Sequence, residues 1–298
     1  MSFVQALSES FTAVLPAVVA MPLLLIPFIV AEQLWPVNRR PTWRDYGFNI
    51  LVSTSTLLLA LPFGVLSGMG AAALRSALPW TPIGFSYDSI ASVPVVGHAL
   101  AIVAMTIVPI LFHDLWFYWA HRIEHRVAFL WEFHKLHHSD ELLNCSTWAR
   151  DHFMQATWIT VFPAFGLGLV FDISAVQAGM AALLSTLFLS LLSMFYHSAI
   201  KIELPWLDRV LVTPQVHRIH HSRDRAHFDR NFADAFPLFD IIFGTYSKPR
   251  RGEFPLTGLD DAGPPPRNLW NAQGSTTLLS LKQLTRRVPS DVRKMEQS

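Results

Sequence analysis

The sequence contains few charged residues and almost no cysteine. Only 15% of its 298 residues are Asp, Glu, Lys or Arg, and Cys145 is the one cysteine. A single cysteine excludes an intramolecular disulfide and cannot by itself form a thiolate metal site or a redox pair. We therefore expect Cys145 to be a small packing residue. The net charge of +1 gives no indication of a nucleic-acid partner.

Several common cofactor and catalytic motifs are also missing. The chain has no glycine-rich phosphate-binding loop and no flavin, dinucleotide or iron–sulfur motif. A redox reaction would therefore need electrons from a separate donor. The metalloprotease pattern HExxH is absent too, which counts against a zinc-dependent hydrolase without excluding it.

Long apolar segments are abundant instead. Hydrophobic residues make up 51% of the chain, more than in an ordinary soluble domain of this length. A helix needs about 20 apolar residues to cross the hydrocarbon core of a bilayer. We therefore predict an all-α integral membrane protein with about five crossing helices, the last two forming a hairpin. The five segments are 11–35, 46–74, 93–117, 153–171 and 174–196.

Charge distribution predicts the orientation. Lys and Arg favour the cytoplasmic side of short loops. If loop 36–46 is cytoplasmic, Arg75 is the only one of 23 Lys and Arg residues outside. We expect a multi-pass protein of a bacterial inner membrane, with its carboxyl terminus and a histidine-rich helical cap in the cytoplasm. Residues 1–250 would form one membrane-embedded domain, and 251–298 a partly ordered or flexible tail.

Histidines are concentrated at the ends of the predicted helices. On a helix, residues three and four apart lie on one face, so each cluster can direct its imidazoles to one point. An even number of crossings separates the second cluster from the third, which returns the chain to the same side of the membrane. The clusters and one further histidine are His121 and His125; His134, His137 and His138; His217, His220 and His221; and His197.

These nine histidines predict a metal centre. Imidazoles brought together without metal would repel when protonated, or leave buried nitrogens unsatisfied. Nine ligands are too many for one ion, so two ions are implied. Imidazole suits iron, zinc, copper and nickel, and the ligand type leaves the metal open.

Other polar residues are weaker candidates. The sequence gives about equal weight to three roles for His152: metal ligand, residue that supports a ligand, and surface residue. Arg150 is a helix-end charge or a site for a substrate headgroup. Asp114 and Asp240 could orient histidines through the second ring nitrogen, and ordinary helix-end charge is the alternative. Interfacial polar roles are expected for His98, His113 and His227.

The motifs HDLWFYWAHRIEH, WEFHKLHHSD, VHRIHHSRD and DRNFADAFPLFDIIFGTY together resemble the sterol desaturase and fatty acid hydroxylase superfamily over about residues 108–247. The resemblance is greatest to the branch of alkylglycerol monooxygenase and bacterial sterol desaturases. It implies an integral membrane oxygenase in which two iron ions and O2 hydroxylate or desaturate a lipid. The eight clustered histidines match the family motif, and His197 matches a further ligand position.

Three functions remain open at this point. The resemblance favours oxidation of a membrane lipid, such as a sterol, fatty acyl chain, alkylglycerol ether or aminolipid, with electrons from an external protein or reductant. A zinc-dependent membrane hydrolase is the first alternative. A metal transporter is the second, although transport sites are expected near the bilayer midplane rather than at one edge.

Overall fold

The computed structural model describes residues 2–77, 94, 96–170, 180–260 and 265–279. These residues form helices joined by turns and loops, with two isolated β-bridges and no named strand. The predicted all-α class is therefore confirmed for this part of the chain. The α-helices are α1 (Phe3–Leu34), α2 (Trp43–Ala77), α3 (Gly97–Arg126), α4 (Ala128–His138), α5 (Phe153–Val170), α6 (Met180–His197), α7 (Pro214–His220) and α8 (Leu238–Ile242).

Three of these helices are long and apolar enough to cross a membrane, namely α1, α2 as far as Leu74, and α3. At 1.5 Å per residue, the 32 residues of α1 are about 48 Å long, which exceeds the roughly 30 Å of a hydrocarbon core. The length and composition of these three helices are those of a membrane protein. Helices α5 and α6 occupy the fourth and fifth predicted segments, but their predicted turn at Asp172 and Ile173 lies outside the described residues. The number of crossings stays a prediction.

The carboxyl-terminal ends of α1 and α6 lie together. The backbone N–H of Val37, just after α1, donates to the carbonyl of Ala199, just after α6, at 2.8 Å. The N–H of Lys201 donates to Trp35 at 2.7 Å. These bonds form the bridge between Pro36 and Ile200.

Glu32 reinforces this junction from inside α1. Its side chain is fully buried, and Oε1 accepts the backbone N–H groups of Cys145 at 2.6 Å and Ala199 at 2.7 Å. The hydroxyl of Tyr46 on α2 donates to Oε2. One carboxylate thus connects α1 and α2 with the short 3-10 helix Cys145–Ala149 and with the residue two positions after His197. Cys145 itself is buried against these helices, in the packing role expected from the sequence.

Shorter elements cover this end of the long helices. Helix α4 follows α3 after one residue, because Val127 is extended and breaks the helix. Thr213 caps α7 by accepting the N–H of Val216, and Pro214 occupies the first helical position, where its missing N–H costs nothing. Part of the predicted tail also packs here, since Ala272 is buried against Val52 and Leu136.

We expect the Glu32→Ala variant to be destabilised by about 3 kcal/mol, because it leaves two buried N–H groups without an acceptor. The measurement is thermal unfolding in detergent micelles. Glu9→Gln at an exposed position of the same helix is the matched control and should change stability by less than about 0.5 kcal/mol. Equal effects of the two variants would show that the Glu32 network does not support the fold.

Candidate metal centre

All nine histidines predicted as ligands lie in one region of the structure. They are supplied by the last turns of α3 and α4, by the last residue of α6, and by α7 with its C-cap residue. Eight of the nine are buried, and His125 is half-buried.

The imidazoles form two adjoining groups, in each of which the ligand atoms lie within 4.8 Å of one another. The groups touch, since the rings of His138 and His221 are 4.4 Å apart and those of His134 and His137 are 5.5 Å apart, both measured between centroids. The five-histidine group is His121, His125, His134, His138 and His220, and the four-histidine group is His137, His197, His217 and His221.

Helix geometry explains how neighbouring histidines reach different groups. Residues four apart point the same way, whereas consecutive residues diverge by about 100°. The HxxHH motif on α4 therefore sends its first and last histidines to the five-histidine group and His137 to the other. The motif of α7 does the reverse, with His220 alone in the five-histidine group. Each motif thus contributes to both groups.

Hydrogen bonds to main-chain carbonyls fix the tautomers of three rings. The Nδ1 atoms of His121, His197 and His220 lie 2.8 Å from the carbonyl oxygens of Phe232, Ser193 and Arg230, respectively. A carbonyl only accepts, so each Nδ1 carries the proton and each Nε2 carries a lone pair. The three Nε2 lone pairs are consequently available to a cation.

The spacing of the Nε2 atoms fits bound metal ions. His197 and His217 are separated by 2.9 Å, His217 and His221 by 3.0 Å, and His121 and His134 by 3.0 Å, all between Nε2 atoms. An ion bound at roughly 2.0–2.1 Å from imidazole nitrogens holds neighbouring nitrogens about 2.9–3.4 Å apart. The buried Nε2 of His220 has no hydrogen-bond partner among the residues that the structure describes. The two groups could therefore hold metal ions.

Burial favours the neutral form of His220, His138 and His221. It lowers the pKa of His220 to about 3, against an ordinary value of 6.5. Burial followed by repulsion from neighbouring histidines also lowers the pKa of His138 and His221. Neutral imidazole is the form that binds metal.

Two acidic side chains and one amide lie next to the outer nitrogens of rings on α4. Oδ1 of Asp151 lies 3.0 Å from Nδ1 of His137, and Oε2 of Glu124 lies 3.3 Å from Nδ1 of His134. The amide of Gln155 is 2.8 Å from the same Nδ1 atom. A carboxylate beside the outer nitrogen orients a ligand histidine and raises its basicity. Sequence reasoning missed Glu124 and Gln155, although Glu124 stands three residues after His121 on the same helix face.

Asp114 and Asp240, predicted to orient histidines directly, bond instead to backbone N–H groups. Asp114 accepts from residues 234, 235 and 236 at 2.8–3.1 Å. Asp240 accepts from Phe232 and Ala233, both at 2.8 Å. The five successive N–H groups of residues 232–236 have no helical partner, so the two carboxylates bind them. Their influence on His121 is indirect, through the carbonyl of Phe232.

His152, considered as a ligand, lies outside both groups. Its Nε2 donates to the carbonyl of Gln273 at 2.8 Å, and its Nδ1 accepts the N–H of Met154 at 3.2 Å. Both ring nitrogens are occupied, which leaves none for a metal. Gln273 also donates to the carbonyl of Asp151 at 3.1 Å and accepts the N–H of Phe153 at 3.0 Å. It thereby holds the turn that positions Asp151 beside the four-histidine group.

Arg150, considered for a substrate headgroup, is buried in an internal network. Its Nη2 donates to Ser139 at 2.9 Å, and its Nη1 lies 3.4 Å from the carboxylate of Asp140. A buried guanidinium paired in this way is a structural residue. His113 and His227 also lie outside the two groups, 3.4 Å from Asp234 and 3.0 Å from Ser222, respectively.

These features define a helical membrane protein with two histidine groups able to hold metal. Residues 106–245 match the family model described as fatty acid hydroxylase. Human alkylglycerol monooxygenase is 35% identical over 136 residues, which are 45% of this chain and 28% of the relative. An ornithine lipid hydroxylase from Rhizobium tropici is 31% identical over 45% of this chain and 39% of its own. A Delta(7)-sterol 5(6)-desaturase from Gibberella zeae is 29% identical over 49% of this chain and 38% of its own length.

Residues 106–245 therefore match the fatty acid hydroxylase family over just under half of the chain, and this match confirms the superfamily resemblance predicted from the motifs. The alignments cover only 28–39% of these relatives' own lengths. No solved structure is significantly similar to the chain. All nine clustered histidines lie inside the matched region, whereas Glu32 and Gln273 lie outside it.

We expect metal-free protein to lose stability as the pH falls from about 6.5 towards 3. A histidine with a lowered folded pKa contributes stability above its unfolded pKa and loses it as protons bind the unfolded state. Each such histidine contributes a slope of about 1.4 kcal/mol per pH unit. Thermal unfolding midpoints in chelator between pH 7.5 and 4.5 would measure this. The slope should become shallower in His220→Gln, and an unchanged slope would contradict a neutral His220.

We expect His137→Gln to lower the metal content of the purified protein and His152→Gln to leave it unchanged. Only His137 belongs to a group of converging ring nitrogens, and glutamine at 152 can still donate to the Gln273 carbonyl. Elemental analysis by inductively coupled plasma mass spectrometry measures both. Equal metal loss in the two variants would argue against the assignment of the ligands.

Proposed function

We propose that the protein is an O2-dependent oxidoreductase that holds two iron ions and hydroxylates or desaturates a C–H bond of a membrane lipid. The observation that carries the proposal is the pair of adjoining, buried groups of five and four histidines. The relatives named monooxygenase, lipid hydroxylase and desaturase support this oxidative chemistry.

The division of the histidines supports a site for two ions. Each group alone offers enough nitrogens for one ion, and the shortest contacts between Nε2 atoms fall within a group. Imidazole accepts several metals, so the choice of iron rests on the oxidative names of the relatives. When bound, iron would supply the reduction of dioxygen and the oxidation of an unactivated C–H bond, which side chains cannot perform.

The protein's own residues would bind the metal ions, orient the imidazole rings and shield the site from water. Main-chain carbonyls hold the Nδ1 protons of His121, His197 and His220, and the Nε2 atoms stay unprotonated for metal. Asp151 lies beside Nδ1 of His137 and Glu124 lies beside Nδ1 of His134, where they could orient two further rings. Burial excludes water from the groups, which protects a strong oxidant from side reactions.

The depth of the histidines indicates which part of a lipid is oxidised. Helix α3 has 30 residues, about ten more than a crossing needs, and both of its ligand histidines lie in its last six residues. The site would therefore lie near the headgroup boundary. The substrate carbon would be close to a headgroup, or on a sterol or acyl chain that bends towards it.

Orientation and partners are part of the proposal. The excess of Lys and Arg on the side of the histidines supports a cytoplasmic site in a bacterial inner membrane. Electrons would come from a separate protein or reductant, because the sequence has no flavin or iron–sulfur motif.

The test is to purify the protein from iron-supplemented cells and compare membrane lipids by mass spectrometry. We expect iron close to two equivalents and an O2-dependent mass gain of one oxygen for hydroxylation, or a loss of two hydrogens for desaturation. His137→Gln should abolish the change, and His152→Gln should retain it. Bound zinc together with O2-independent lipid cleavage would favour the hydrolase. Uptake of metal into vesicles would favour the transporter. Either result would refute the proposal.

A further inference from the structure

Helix α8 and the residue after it expose an apolar surface at the edge of the region that contains the histidines. The exposed fractions are 46% for Ile241, 59% for Ile242 and 37% for Phe243, and Leu238 is also exposed. The opposite side of the helix buries Asp240. Contiguous apolar side chains of this size are unusual on a water-exposed surface and mark an interaction site.

This surface continues the lipid-facing side of a long apolar helix. The ring of Phe243 lies 5.1 Å from Tyr118 and 5.0 Å from Trp119, both on α3. Trp119 is 37% exposed on that helix. Helix α3 is a candidate membrane span. The exposed apolar side chains of α8 therefore lie beside its apolar surface and enlarge it.

Basic groups border the patch. The Arg122 guanidinium lies over the rings of Tyr118 and Trp119 at 5.8 and 5.6 Å from their centroids. Arg126, one turn further along α3, has 60% of its side chain exposed and pairs with Asp229 at 3.2 Å. The exposed Arg230 donates to the carbonyl of Gly244, next to Phe243. Aromatic rings and basic residues beside an apolar surface are typical of the headgroup level of a membrane.

We propose that α8 and Phe243 insert into one leaflet at the boundary between headgroups and acyl chains, so that the phospholipid surface is the partner of this patch. Five residues are too few to cross a bilayer, so α8 lies in the interface. The continuity with α3 favours lipid over a protein partner, and the arginines match anionic headgroups. The inference does not depend on which reaction the metal centre performs.

Insertion at this point would also fix the depth of the metal centre. Asp240 of α8 accepts the N–H groups of Phe232 and Ala233. The carbonyl of Phe232 accepts the Nδ1 proton of His121. Two hydrogen-bonded steps therefore connect the inserted helix with the five-histidine group.

The single cysteine makes a direct test possible. Cys145 is fully buried, so a thiol-reactive bimane label will react with a cysteine placed at an exposed position of the full-length chain. The test variant is Ile242→Cys, with Leu238→Cys as a second variant in case the first folds poorly. Val103→Cys on exposed α3 surface and Arg225→Cys on the short 3-10 helix Arg225–His227 are the references.

Labelled proteins are placed in vesicles of phosphatidylcholine and phosphatidylglycerol. We expect acyl-brominated phosphatidylcholine to quench the label at 242 to an extent comparable with the label at 103. Aqueous iodide should quench it several-fold less than the label at 225. Strong iodide quenching with no effect of brominated lipid would overturn the proposal. Protection from both quenchers would also overturn it, because that result indicates coverage by protein.

Discussion

The structure depends on the packing of nine imidazoles whose ring nitrogens converge. The Nε2 atoms of His197 and His217 lie 2.9 Å apart, and protonation of all the rings would place many positive charges in a buried space. A bound cation would turn this convergence into coordination. The surrounding residues hold the rings inward by accepting Nδ1 protons at backbone carbonyls, which cannot rotate away as a flexible side chain can.

Much of that support comes from residues distant in sequence. The loop that presents the carbonyl of Phe232 is held by Asp114 from α3 and Asp240 from α8, which bind its unpaired N–H groups. Glu32 ties α1 to the residues just after His197, and Gln273 clamps the turn that carries Asp151. Glu32 and Gln273 lie outside the family-matched region, so the amino-terminal helices and part of the carboxyl-terminal segment help to hold the elements that carry the two histidine groups.

Sequence reasoning succeeded where a local pattern has one physical interpretation. Apolar length predicts helices, and the HxxHH spacing places the first and last imidazoles of each motif on one helix face. The middle histidines, His137 and His220, turn to the other group, which the expectation of a single point for each cluster did not include. Sequence reasoning was less successful with single polar residues. His152 and Arg150 stand in a histidine- and charge-rich stretch, as ligands or headgroup sites would. Their partners, Gln273 and Asp140, could not be assigned without the fold, and these partners place both side chains in internal hydrogen-bond networks. Asp114 and Asp240 were identified as supporting residues, but their hydrogen bonds go to the backbone rather than to rings.

By itself, the sequence determined an apolar helical protein with three histidine clusters and a further histidine at helix ends, because helical periodicity and hydrophobic length are local properties. Only the tertiary structure decided how nine imidazoles divide into groups of five and four. That division depends on the angles between α3, α4, α6 and α7, and those angles follow from packing between segments far apart in the chain. The same holds for Glu124 and Gln155, whose proximity to His134 arises from the contact of three helices.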